Sequence, residues 1–174
     1  MAHHPGLDGV RASALVMIML FHANPRWIPG GFISVSLFFT LSGYLITSLL
    51  VFEGESSGRV SLRSFWSRRL RRLAPASIVT LGVVVGLTTW LGTSVEQGRV
   101  RGDAVAAATY VANWRAIGAG HSYAEIFSDA SPLQHLWSLS IEEQLYVLVP
   151  LIVAAGFACG LRRRGIGVLF LAGS

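Results

Sequence analysis

Long apolar runs decide what this chain can fold into. Four of them cover most of the sequence: Val10–Trp27, Gly31–Phe52, Leu73–Val95 and Leu136–Leu161. Each has at least 18 residues, close to the roughly 20 that a helix needs to cross a bilayer. Charged residues make up only 13% of the chain, against about 25% in soluble domains. The sequence therefore predicts an all-α membrane protein embedded in a lipid bilayer.

The segments between these runs support this organisation. Pro25 and Pro29, followed by Gly30-Gly31, predict a tight turn after the first run. A basic stretch with interleaved aromatic and leucine side chains follows the second run and predicts a short interfacial helix. Pro75 then suits the opening turn of the third span. Because Gly165–Ser174 look like the start of another run, we expect a polytopic transmembrane helical bundle of about four spans plus the start of a fifth.

The placement of arginine predicts the topology. Cytoplasmic loops are enriched in basic residues, and six Arg lie between Arg59 and Arg72. If this stretch is inside the cell, the N-terminus is cytoplasmic. Asp103–Ile117 would rise only roughly 22 Å as a helix, less than a hydrocarbon core of about 30 Å. We therefore expect Asp103–Ser131 to stay on the outer side of the cell membrane, which returns Arg162–Arg164 to the inside.

Arg11 and His22 are the first candidate site residues. Eleven helical steps place them on one face, roughly 16 Å apart along the axis. Both are costly in hydrocarbon and should face the bundle interior or a wet cavity. A neutral His there can take a proton from a hydroxyl and return it to a leaving group. The structural alternative is that both are helix-end residues, with Arg11 reaching towards the headgroups and His22 capping the outer end.

Small residues recur along the second run. Ser36, Thr40, Gly43 and Thr47 follow one another at spacings of three and four residues. This spacing predicts a stripe that packs closely against a neighbouring helix.

The basic block, which we define as Arg68, Arg69, Arg71 and Arg72, has two interpretations. Positive-inside anchoring explains such a block without any further function. Alternatively, several guanidinium groups at a membrane face suit the phosphates of a CoA-like donor.

The most specific segment is Ser131–Tyr146. Its opening residues predict an N-cap, a first-turn proline and a capping-box partner: Ser131, Pro132 and Gln134. In the predicted helix that follows, His135, Ser138 and Glu142 share one face. The carboxylate pair, Glu142 and Glu143, is unusual at the mouth of a span. Crowding and partial burial can make one of the two a usable acid or base, whereas a solvated outer-surface pair is the alternative.

Taken in order, these segments resemble the acyltransferase-3 family of membrane proteins, typified by O-antigen and exopolysaccharide acetylases. The resemblance runs from Gly6-Leu-Asp-Gly-Val-Arg11 to Trp137-Ser-Leu-Ser-Ile-Glu-Glu-Gln-Leu-Tyr146. It implies a helical membrane enzyme that takes an acyl group, such as acetyl, from cytoplasmic acyl-CoA. The acceptor is then a hydroxyl of a carbohydrate, a lipid-linked molecule or another cell-envelope or secondary-metabolite compound. The resemblance implies neither a metal nor a nucleic-acid partner.

The same resemblance implies roles for individual residues. Arg11 and His22 match the first-helix pair required for activity, and the basic block matches the segment linked to acyl-CoA use. Glu142 and Glu143 match the paired carboxylates. Ser138 and Tyr146 match the positions that flank them, which we expect to position substrate.

Two departures from the family pattern bear on function. Ser36 stands where the second-helix motif usually has an acid, so any orienting role of that acid is in doubt. The 174 residues are also fewer than a family domain of roughly ten spans requires, so we expect residues 1–174 to be the N-terminal part of a larger domain. Two other functions stay open from the sequence: a non-enzymatic remnant, and a transporter or flippase-like protein.

Overall fold

The computed structural model describes residues 5–24, 26–119, 131–161 and 165–167. In this part of the chain it has no strand. The elements are six α-helices of different lengths: α1 Pro5–Ala23, α2 Ile33–Ser57, α3 Leu62–Leu91, α4 Ser94–Ala108, α5 Ala112–Gly118 and α6 Leu136–Ala158. By length and composition, α1, α2, α3 and α6 can each cross a membrane. The all-α fold with four spans is therefore confirmed. Arg162–Arg164 and most of the predicted fifth span, Gly165–Ser174, lie outside the described residues.

The chain divides into two compact units. The first combines Met1–Val60 with Leu145–Ser174, and the second is Ser61–Gln144. The first unit thus holds α1, α2 and the C-terminal part of α6, whereas the second holds α3, α4, α5 and the first turns of α6.

In the first unit, the predicted break between the first two spans is confirmed. Backbone hydrogen bonds from Trp27 to Asn24 and from Gly31 to Ile28 form successive turns there, while Pro25 lies outside the described residues. The second span was expected to end at Phe52, but α2 continues to Ser57. The predicted limit of the apolar span is untouched by this, because charge ends a span without ending the helix and Glu is a good helix former.

The buried face of α2 is also displaced from the predicted stripe. Ser36 and Thr40 are exposed, and the Thr40 hydroxyl donates back to the Ser36 carbonyl over 2.9 Å. The buried row instead follows multiples of four residues, with two further buried residues beside it: Ser34, Ser42, Ile46, Leu50 and Gly54, together with Leu41 and Val51. This row carries the larger aliphatic side chains, so its burial removes more apolar surface from the surroundings. At its end a Cβ on Gly54 would overlap the Phe157 ring of α6, so any larger residue would require the ring to move.

In the second unit, the predicted interfacial helix and third span are one continuous helix, α3. Pro75 lies inside it, so the prediction that Pro75 opens a new helix was wrong. Proline removes one backbone donor, but good helix-forming Arg, Leu and Ala residues flank it on the N-terminal side. The helix therefore continues through the proline and joins the basic block directly to the apolar span.

The third span ends earlier than expected, at Leu91 instead of Val95, because a capping box starts the next helix. The Thr93 side chain accepts from the Glu96 N–H over 3.4 Å, and the Thr93 N–H donates to Glu96 Oε2 over 2.7 Å. Asp103–Ile117 is shared between α4 and α5, with 15 and 7 residues. Neither is among the candidate spans, as expected; the membrane side on which they lie stays a prediction.

Candidate active site

Arg69 of α3 and the carboxylate pair of α6 meet within the second unit. Arg69 Nε and Nη2 donate to Glu143 Oε1 over 3.2 and 2.9 Å. Glu142 Oε1 lies 3.8 Å from the same Nη2. The side chains of Arg69 and Glu143 are only 21% and 12% exposed. Such a charge-assisted contact away from bulk water is stronger than a surface ion pair. It joins two segments that the predicted topology places on opposite sides of the membrane, the basic block inside and the start of α6 outside, so these two placements cannot both hold.

The rest of the basic block is arranged differently. Arg68, Arg71 and Arg72 are exposed. Arg71 donates to the backbone and side chain of Ser67, at 3.2 and 2.8 Å. Arg68 and Arg72 lie one helical turn apart on one face and show no hydrogen bond or ion pair with the described parts of the chain. The structure therefore separates one partly buried guanidinium from three exposed ones.

An amide pair, Asn113 and Gln144, supports the helix turn that carries the carboxylates. Gln144 Nε2 donates to Asn113 Oδ1 over 2.9 Å and to the Tyr110 carbonyl over 2.8 Å. Asn113 Nδ2 donates in return to Gln144 Oε1 over 3.3 Å. One turn earlier, the Ser140 hydroxyl accepts from the Ala112 N–H over 3.2 Å. These bonds fix α6 against the start of α5 immediately beside Glu143.

The sequence reasoning missed this amide pair. The sequence analysis judged Asp103–Ile117 by its length and by the placement of arginine, and gave Asn113 no role. The available signal was that an uncharged amide inside an apolar segment needs a buried partner. Its partner could not be identified from spacing, because Gln144 is 31 residues away.

The predicted capping arrangement before α6 forms only in part. The Ser131 hydroxyl accepts from the Leu133 N–H over 3.4 Å, but α6 begins at Leu136, after a turn. His135 lies in this turn, so the prediction that it shares a helix face with Ser138 and Glu142 was wrong. The Gln134 N–H donates to the Ser131 carbonyl over 2.9 Å. This bond forms a turn at Ser131–Gln134, so α6 begins only after it, at Leu136.

The two predicted flanking residues are in different units. Ser138 lies in α6 within the second unit, and its hydroxyl donates to the His135 carbonyl over 3.1 Å. Tyr146 lies in the first unit and is buried, with 4% of its surface exposed. The structure thus places Ser138, but not Tyr146, in the same unit as Arg69 and the carboxylate pair.

Arg11 and His22 both lie in α1, in the first unit, so the helical spacing on which their pairing rests is confirmed. Arg11 is half-buried and His22 is exposed. His22 Nδ1 is 2.7 Å from the Ile18 carbonyl. Because a carbonyl oxygen only accepts, Nδ1 carries the proton in this bond, and Nε2 is the basic nitrogen of the neutral ring. The Phe21 ring packs edge-on against the imidazole, with centroids 5.7 Å apart.

Comparison with known proteins decides the family. The sequence profile of the acyltransferase-3 family, described as an acyltransferase domain, matches residues 4–174. The chain belongs to this family. Together with the four apolar helices, family membership makes it a multi-pass membrane protein.

Individual relatives agree with the family. The chain is 48% identical over 170 residues to a Staphylococcus aureus (strain MSSA476) protein named "Putative O-acetyltransferase SAS0844". It is 45% identical over 149 residues to "O-acetyltransferase OatA" of Staphylococcus aureus strain NCTC 8325 / PS 47. These matches cover 98% and 86% of this chain but only 28% and 24% of the relatives. The chain therefore spans about a quarter of their length. No solved structure matches it significantly.

Proposed function

We propose that this chain carries the donor-binding and acyl-transfer groups of a membrane O-acetyltransferase. It would move an acetyl group from acetyl-CoA to a hydroxyl of a carbohydrate or another cell-envelope or secondary-metabolite acceptor. The observation that carries the proposal is the contact between Arg69 and Glu143. It unites a block linked to donor use with a block linked to catalysis. Family membership and the names of the relatives support the chemistry.

The exposed part of the basic block suits the donor. Arg68, Arg71 and Arg72 occupy an arc of roughly 100° on α3, where their guanidinium groups can pair with phosphate oxygens. Arg69 is already committed to the carboxylate pair. In this proposal the three exposed side chains hold the CoA phosphates, and Arg69 connects the donor site to the carboxylates.

His22 is the proposed general base. Its Nε2 takes the proton of the acceptor hydroxyl while that oxygen attacks the thioester carbonyl carbon. The carbon–sulfur bond then breaks, and the imidazolium returns the proton to the departing CoA sulfur. The products are the acetyl ester and free CoA. The Ile18 carbonyl favours the tautomer that this step requires, and Arg11, roughly 16 Å away along the same helix, would help only as a distant positive charge.

The carboxylate pair and its neighbours position the reactants in this proposal. Glu143 is held by Arg69, whereas Glu142 is further from that guanidinium, at 3.8 Å. In this proposal Glu142 or Glu143 positions an acceptor hydroxyl or a proton. Ser138 lies one turn before Glu142 on the same face. Tyr146 would act from within the helix packing of the first unit.

The proposal is tested with the full-length protein in lipid nanodiscs. Acetyl-CoA labelled in the acetyl group would be supplied together with a panel of acceptors, and both free CoA and acetylated acceptor would be measured. His22→Ala should lower the transfer rate by about 10²- to 10⁴-fold while donor affinity stays within about twofold. Asn24→Ala, two residues along the chain, is the matched control and should keep full transfer.

Two results would contradict the proposed function. Full transfer by His22→Ala would remove the proposed base. If an acceptor is moved across the membrane without release of CoA, the protein is a transporter rather than an acyltransferase.

A further inference from the structure

A cleft of about 860 Å³ lies within the second unit, between α4, α5 and the turn that precedes α6. Its volume falls inside the roughly 300–1,000 Å³ range of small-molecule sites. Its polar and aromatic lining includes Asp103, Thr109, Trp114, Arg115, Gln134 and Trp137. The proposed mechanism uses none of these side chains.

Asp103 and Arg115 form a preset polar edge of this cleft. Arg115 Nε donates to Asp103 Oδ1 over 2.7 Å. Asp103 Oδ2 and both terminal Arg115 nitrogens have no hydrogen-bond partner among the described residues. A Cβ on Gly102 would lie 2.5 Å from Arg115 Nη2, so this glycine is what lets the guanidinium lie against α4. The edge therefore offers one acceptor and several donors side by side in a fixed position.

The charge of this edge is balanced, which disfavours a phosphate ligand. The positive charge of Arg115 is compensated by Asp103, and the third charged residue of the lining, Arg99, is also engaged in an interaction. Adjacent donors and acceptors match hydroxyl groups, since each hydroxyl both donates and accepts.

Aromatic and amide groups complete the cleft. Trp114 and Trp137 line it with indole groups, and Trp114 is 61% exposed. Indole faces pack well on the apolar C–H faces of a sugar ring and keep a polar N–H for a hydrogen bond. Gln134 Oε1 is buried and has no hydrogen-bond partner among the described residues. A buried oxygen of this kind is costly, and a rotation of the Gln134 side chain towards the cleft would let a ligand hydroxyl satisfy it.

We infer that this cleft binds a saccharide and is the subsite that holds a carbohydrate acceptor. The sugar rings stack on Trp114 and Trp137, and their hydroxyls bond to Asp103, Arg115 and Gln134. The acceptor role, though not the binding itself, rests on the proposed function.

The test is isothermal titration of the full-length protein in nanodiscs with cellotriose and with chitotriose, in the absence of donor. At least one should bind. Trp114→Ala should raise Kd by about tenfold, and Trp114→Phe should restore most of the affinity. Trp90→Ala removes an indole that is 80% exposed and does not line the cleft, so Kd should stay unchanged.

Three results would overturn the inference: no binding of either trisaccharide at millimolar concentration, equal losses for Trp114→Ala and Trp90→Ala, or displacement of the sugar by CoA. Failure of the proposed function is separable from these. Saccharide binding that depends on Trp114, without acetyl transfer, keeps the cleft and contradicts the enzyme. If the protein transfers acetyl to a saccharide and Trp114→Ala leaves the KM for that saccharide unchanged, the enzyme is supported and the cleft is contradicted.

Discussion

Arg69 directs two of its nitrogen atoms at one oxygen of Glu143, at 3.2 and 2.9 Å, across 74 residues of sequence. Both side chains are largely shielded from solvent. Glu142, the neighbouring carboxylate, is 3.8 Å from the same guanidinium. The basic block and the carboxylate pair are therefore one electrostatic unit, and the substitutions below separate its structural members from its proposed donor-binding members.

Removing Arg69 should destabilise the protein. Arg69→Ala leaves the poorly exposed Glu143 carboxylate without its main partner, so we expect the free energy of unfolding to fall by about 2 kcal/mol. Arg72→Ala, an exposed Arg on the same helix, is the matched control and should not change it. Thermal unfolding in nanodiscs measures both. A double-mutant cycle with Glu143→Gln should show coupling of about 1 to 3 kcal/mol; simple additivity would mean that the contact contributes nothing.

Removing Arg68 or Arg72 should weaken donor use without a loss of stability. Each exposed guanidinium that binds a phosphate contributes roughly 1.5 to 3 kcal/mol, so each substitution by Ala should raise the KM for acetyl-CoA at least about tenfold. Arg63→Ala changes an exposed residue on the opposite face of α3 and should leave KM unchanged. Steady-state kinetics of the full-length protein decide this, and equal effects of all three substitutions would point to general surface charge instead.

The amide pair should behave as a mutually dependent unit. Asn113→Leu leaves the Gln144 carbonyl oxygen buried without its donor, at a cost of about 1 to 3 kcal/mol. The double variant Asn113→Leu/Gln144→Leu removes both groups and should be less destabilised than the sum of the single variants. Chemical or thermal unfolding of the four proteins gives the comparison. If the losses simply add, the pair does not fix α6 against α5.

Packing at Gly54 should tolerate no added carbon. Gly54→Ala places a methyl group against the Phe157 ring, and overpacking of this kind costs about 1 to 3 kcal/mol. Gly43→Ala, in the same helix, meets nothing within 4 Å and should leave stability unchanged or slightly raised. Adding Phe157→Leu to Gly54→Ala should recover part of the loss. A stable Gly54→Ala variant would place these two helices further apart.

The start of α4 should be sensitive to acid. The Thr93 backbone N–H, together with its hydroxyl, donates to Glu96 and holds the pKa of that carboxyl below its ordinary value of 4.5. The stabilisation is therefore present above that value and is lost as the pH falls through the lower folded-state pKa. Thermal unfolding of wild type and Glu96→Gln should differ at pH 7 and converge once the pH has fallen below the folded-state pKa of Glu96. Thr93→Ala should cost about 1 kcal/mol at neutral pH. A constant difference across the pH range would contradict this origin.

The membrane fold was readable from the sequence, but its boundaries were not. Apolar length alone predicts the four spans, since hydrocarbon tolerates few charges. The end of α2 lies beyond the apolar run because residues such as Glu53 are excluded from lipid but are good helix formers. The helix predicted in the basic stretch around Arg63 does form, but it continues into the third span without a break. Pro75 misled for a related reason, because a proline at one point of a long, strongly helical segment does not always divide it.

The candidate site was predicted as a set of segments rather than as a geometry. Spacing along one helix relates Arg11 to His22, and α1 confirms that helix. Spacing could not predict that Arg69 is paired while Arg68 is exposed, because the two differ only in what packs against them. The partner of Arg69 is Glu143, which comes from a helix 74 residues away. The same limit applies to Asn113, whose polar character was visible while Gln144 was not. Catalytic and donor-binding roles stay predictions until they are measured.

The contact between Arg69 and Glu143 also sets an order of events during synthesis. At a translation rate of roughly 5 to 20 residues per second, Glu143 leaves the ribosome about 4 to 15 s after Arg69. For that interval the nascent α3 has no access to the carboxylate that later holds its guanidinium. The second unit is also encoded between the two parts of the first, so its charges can pair before the first unit receives its last helix. The contact that joins α3 to α6 therefore forms only after α1 to α5 have all been synthesised.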